Sequence, residues 1–138
     1  MSSLSGLFGW LPKRQRHAAA RRRAQTRHAL AGLDFALGEL ARELKRLAEM
    51  SRTTDQDDAA AVVRETVTTS RILELLAQGE SLASQLSDKG IADAWQRLAG
   101  STGRARLLGS GPHRVIKLMA AAGECEWLQQ LVDQKLAV

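Results

Sequence analysis

The chain has no tyrosine and no asparagine, and its 138 residues include one cysteine, two prolines, two phenylalanines and three tryptophans. Each scarcity excludes something. A lone Cys125 cannot form an internal disulfide and is compatible with a reducing compartment, so no staple holds this fold. No apolar run approaches the ~20 residues that a bilayer-spanning helix needs. A secretory signal carries positive charge ahead of its apolar stretch, and here the order is reversed, so an intracellular protein is expected, cytoplasmic or associated with nucleoid or nucleus. His17, His28 and His113 have no metal-ligand spacing among themselves or with Cys125. The Gly-Lys-Ser/Thr of a phosphate-binding loop does not occur. Cys125 sits between Glu124 and Glu126, an environment that suppresses the thiolate. Neither catalysis nor a cofactor is expected.

What is abundant is Leu, Ala, Arg, Gln and Glu, the residues that lose least on entering a helix. A chain of this length buries most of its apolar surface in one domain. The expected fold is all-α, a small bundle of four to six helices with a long first helix whose basic N-terminal part projects. The division expected is an amphipathic tip and basic arm over residues 1–29, then a bundle over 30–138.

Charge is strongly partitioned. Residues 1–33 contain no acid and carry Lys13, Arg14, Arg16, Arg21, Arg22, Arg23 and Arg27. Residues 34–93 carry twelve acids against seven bases. Residues 94–123 again lack acid and carry Arg97, Arg104, Arg106, Arg114 and Lys117. The net charge of +5 conceals these alternating blocks. They are either two cooperating anion-binding surfaces or basic helices docked on acidic ones.

Leu4, Leu7, Phe8 and Leu11 stand at i, i+3, i+4, i+7, with Trp10 beside them, and form an apolar tip suited to a membrane interface or a protein partner. Pro12 suits a helix start. From there to about Met50 there is no stop signal. Within this span Leu30, Leu33, Leu37, Leu40, Leu44 and Leu47 keep heptad spacing for three heptads, enough for a coiled-coil seam between subunits or the core stripe of an antiparallel bundle. The bundle use is the expectation. Carried back through the arm, the same register puts Arg16 and Arg23 at seam positions. Such a seam stays open without anions, so the contact should end near Leu30. The layout is superficially that of basic-zipper DNA binders, but those proteins read bases with an asparagine, and this chain has none. That family is therefore not assigned.

Further along, Thr54 with Asp57 is expected to cap a second helix over about 55–78, aided by Asp55 and Asp58. Its apolar residues are Val62, Val63, Val67, Ile72, Leu73, Leu75 and Leu76. Gly79 reads as a break, followed by short helices over about 80–87 and 91–99. Residues 100–112, with four glycines and Pro112, read as a loop. A last helix from His113 to about Leu136 carries Val115, Ile116, Leu118, Met119, Ala122, Trp127, Leu128, Leu131 and Val132.

The expected function is a non-catalytic accessory protein that self-associates and binds RNA or DNA through the arm. Arg104, Arg106, Arg114 and Lys117 form the expected second contact surface. A peripheral membrane adaptor and a pure protein-interaction module are the alternatives.

Overall fold

A computed structural model describes residues 12–53, 58–108 and 111–138. Among them the chain forms four α-helices: α1 Lys13–Thr53, α2 Ala59–Ala83, α3 Lys89–Leu107 and α4 Pro112–Ala137. The expected all-α bundle with a long first helix is the observed fold. The apolar tip, Leu4, Leu7, Phe8, Trp10 and Leu11, lies outside the described residues, as do Thr54, Asp55 and Asp57.

The helices run alternately up and down, each packed on its neighbours in sequence, and α1 also packs along α4. Pairings along the axis fix the directions. Met50 meets Thr68 and Gly32 meets Leu82, so α1 and α2 are antiparallel. Arg27 meets Leu136, Lys45 meets Glu126 and Ser51 meets Arg114, so α1 and α4 are antiparallel. Asp88 meets Lys135 and Ser101 meets Glu124, which sets α3 against α4.

The seam is the core. Leu30, Leu33, Leu37, Leu40, Leu44 and Leu47 are all buried within the single chain, with exposures from 0% to 7%. Fully burying one leucine is worth about 1.5–3 kcal/mol, and six on one helix make α1 the wall that α2 and α4 pack on. The first buried residue is Ala29. Residues 13–28 extend about 24 Å beyond it at ~1.5 Å per residue, and none of them is buried. The arm is thus a direct continuation of the helix that builds the core.

Three expectations about the middle of the chain are corrected. First, the cap of α2 is Asp58, whose carboxylate accepts from Ala60 N at 3.0 Å and Ala61 N at 3.4 Å. Second, Gly79 does not break the helix. α2 continues to Ala83 because Gly79 is where the Trp95 ring lies across it: a Cβ there would stand 2.2 Å from Trp95 Cη2. The ring is buried and its Nε1 donates to Glu80 Oε2 at 2.7 Å. Third, residues 100–107 are helix. Thr102 and Ala105 are buried on the face that continues from Ile91, Ala94, Trp95 and Leu98, and packing outweighs the glycines' low propensity.

The apolar residues of α2 and α4 divide between core and surface. On α2, Ile72 and Leu75 are buried, whereas Val62, Val63, Val67 and Leu73 are exposed. On α4, Val115, Leu118, Ala122, Leu128 and Val132 are buried, whereas Ile116, Met119 and Trp127 are exposed.

The approach of Gly79 to Trp95 sets a test. Replacing Gly79 with Ala gains helix propensity but forces the indole away. The expected net result is a destabilisation of about 1–3 kcal/mol, read from urea denaturation. A variant as stable as the parent would show that the ring shifts freely.

Candidate nucleic-acid interface

The basic side chains of the arm are Lys13, Arg14, Arg16, Arg21, Arg22, Arg23 and Arg27, and all are exposed. At 100° per residue they point to every side of the helix, and only small or polar residues, Gln15, His17, Ala18, Ala19, Ala20, Ala24, Gln25 and Thr26, lie between them. The arm therefore has no apolar face. No acidic residue occurs before Asp34, so no carboxylate from the arm itself neutralises this charge.

Arg27 anchors the base of the arm. Its Nη2 donates to the Leu136 carbonyl at 3.0 Å. That oxygen belongs to the last turn of α4, where carbonyls lack helical partners and the helix dipole favours a cation. Arg27 ties the C-terminus of α4 to the root of the arm.

Just inside that root, Asp34 of α1 faces Asp133 of α4. Burial raises the Asp34 pKa above its ordinary 3.8, the Asp133 carboxylate raises it further, and the Gln129 amide opposes both. Gln129 also donates to the Asp34 backbone carbonyl at 3.3 Å.

The second expected surface divides. Arg104 and Lys117 are exposed, and Arg106 is half-buried. Arg114 is a correction: it is 7% exposed, and its Nη1 donates to Glu65 Oε1 of α2 and to Ser51 Oγ of α1 at 3.2 Å. Ser51 in turn donates to the Leu47 carbonyl at 2.8 Å. Arg114 therefore joins three helices at the end of the bundle away from the arm. A buried guanidinium of this kind needs its carboxylate, because an unpaired buried charge costs several kcal/mol.

Two members of the surface were missed. Arg97 precedes Arg104 by seven residues, two helical turns, and both line a groove between α3 and α4. The spacing is legible only once residues 100–107 are helix. Trp127, 56% exposed, stands on the α4 side of the same groove. Its neighbours at helical spacing are apolar, so spacing alone does not separate it from the core residues of α4. The groove comprises two adjoining hollows of about 460 and 320 Å³ that share Ser101, Arg104 and Glu124. His113 and Lys117 line the smaller one.

The described residues contain no group of three His, Cys, Asp or Glu side chains that could hold a metal ion, and no helix long and apolar enough to cross a membrane. Cys125 is buried, and its thiol pKa is pushed up to about 12 by burial and by Glu124 and Glu126. Comparison of the chain with protein-family models, with curated proteins and with solved structures gave no match.

Two measurements follow. Cys125 should resist iodoacetamide in the native protein at neutral pH and react in denaturant, where burial is lost; rapid native labelling would contradict the burial. Asp34, with a folded pKa above its unfolded one, binds its proton more readily when folded. It therefore costs stability progressively as pH rises from about 3.8 through the folded value. Asp34→Asn should raise the melting temperature at neutral pH, with the gain disappearing in acid. A gain that persists unchanged below pH 3.8 would rule out titration as its origin.

Proposed function

We propose that this protein is a non-catalytic accessory protein that binds nucleic acid through the arm of α1. The observation that carries the reading is the arm itself: about four turns of exposed helix with cations on every side, no acidic residue, and rigid continuity with the bundle core. Arginine forks bind phosphate in bidentate fashion, and the column of charge suits a phosphate-walled groove or a strand wrapped around it. A flat anionic membrane favours a helix with one apolar and one basic face, which residues 13–28 do not have. The leucine seam is consumed inside one chain, so the reading requires no second copy.

The reading is tested with the full chain by fluorescence anisotropy of labelled RNA and DNA over a salt series. Replacing Arg14, Arg16, Arg21 and Arg22 with Gln should weaken binding and flatten the plot of log affinity against log salt. The slope should fall by about 0.7 per lost contact on single strands and about 0.9 on duplex DNA. Unchanged affinity and slope would remove the arm from the interface. Flotation of the parent with anionic liposomes that weakens in the same variant, with no nucleic-acid binding by the parent, would favour a membrane role instead.

A further inference from the structure

We infer that the groove between α3 and α4 is a second, single-strand-specific nucleic-acid site in which an unstacked base lies on Trp127 and the adjoining phosphates meet Arg97, Arg104 and Lys117. The inference rests on the nucleic-acid reading of the arm and adds to it the form of the ligand. Three independent features converge.

The first is the indole. Trp127 is 56% exposed at the edge of a hollow of about 460 Å³ whose other walls include Arg97, Gly100 and Arg104. An exposed tryptophan beside a cavity is a platform for any base, since every base has a π-face, and such stacking is worth about 1–3 kcal/mol. A base within a duplex cannot use it, because both of its faces are already stacked.

The second is charge. Arg97 and Lys117 make no hydrogen bond or ion pair among the described residues, and Arg104 reaches only Ser101 Oγ at 3.5 Å. The other basic side chains of the bundle are largely engaged: Arg42, Lys45, Arg46, Arg52, Arg71, Arg114 and Lys135 are all in ion pairs. Among the described residues that line the groove there is one carboxylate, Glu124, which accepts from Ser101 Oγ at 3.4 Å. Glu124 is one turn before Trp127, where it can accept from the exocyclic amine of a stacked cytosine or adenine. Three cations against one anion leave the groove positive.

The third is shape and placement. Gly100, Ala94 and Ala120 keep the walls low. The groove is open at the surface for a polymer to pass. Arg27 holds Leu136 at the root of the arm, and Trp127 lies nine residues earlier on α4, about 14 Å along the axis. A strand leaving the arm therefore meets Trp127 and Arg97 first, then Arg104 and Lys117.

The test uses the full chain, a labelled single strand of mixed, non-self-complementary sequence, and a blunt duplex of the same length. Trp127→Ala should weaken single-strand binding about 5- to 150-fold, the equivalent of the stacking range, and leave duplex affinity unchanged. Trp127→Phe should retain most of the affinity. Arg97→Gln with Lys117→Gln should lower the single-strand salt slope by about 0.7 for each contact, and this pair reads out the site even if the Trp127→Ala chain folds poorly by circular dichroism. In a Trp10→Phe background, the single strand should quench the emission of exposed Trp127, while buried Trp95 stays bright. Single-strand affinity untouched by both sets of variants, or equal losses on duplex and single strand, overturns the inference. So does quenching by free mononucleotide at the same concentration as the polymer. The arm variant separates the two readings. If it leaves both ligands bound as tightly as the parent while Trp127→Ala weakens the single strand, the groove stands and the arm falls. Loss of affinity only on mutating the arm does the reverse.

Discussion

Burial of the α1 leucine seam is the interaction on which the rest of this molecule depends. Six leucines on one face give α2 and α4 a shared surface, and α3 completes the bundle by packing on both of those helices. Because α1 is uninterrupted from Lys13 to Thr53, the place where the seam ends also decides where the molecule's most charged element begins. At Ala29 the stripe of covered side chains stops. Beyond it the same helix carries arginines in place of leucines, and none of residues 13–28 is buried. One helix thus serves as core and as arm, and the core holds the direction of the arm.

The two acid-free blocks have different fates, for a geometric reason. Among the described residues no part of the arm before Ala29 is buried, so its charge stays on the surface. The block over 94–123 is folded into α3 and α4, where position on the helix sorts its members. Arg114 points inward and is neutralised by Glu65, holding α1, α2 and α4 together far from the arm. Arg97, Arg104 and Lys117 point into the outer groove. Residues with the same chemistry, within one block, thereby become a structural clamp and a cationic surface. At the opposite end of the bundle, the Arg27 contact with Leu136 and the facing Asp34 and Asp133 carboxylates oppose one another. The first draws α4 onto α1 and the second weakens that contact when both carboxylates are charged.

Much of the fold was legible, because local physics carries it. Heptad spacing from Leu30 to Leu47 identified the core stripe, and the arginines at Arg16 and Arg23 correctly located its end. Gly79 and the glycines near 100–103 misled for one reason. Glycine's low helix propensity is about 1 kcal/mol, and tertiary burial of Trp95, Thr102 and Ala105 outweighs it. Reading 100–112 as a loop then hid the two-turn relation between Arg97 and Arg104, and with it the groove. The exposure of Trp127 was not legible because α4 is apolar over a wide arc, and periodicity alone does not say which part of that arc a neighbour covers.

By itself the sequence determined the helical class, the position of the seam, the root of the arm and the separation of charge into blocks. These rest on nearest-neighbour spacing along a helix and on composition. Only the tertiary structure decided that the seam closes within one chain, that Arg114 is sequestered while Arg97 and Lys117 are not, that the valines of α2 face outward, and that Trp127 borders a cationic groove. Those outcomes depend on which helix faces which, and at what axial offset, and no single helix encodes its neighbours' positions.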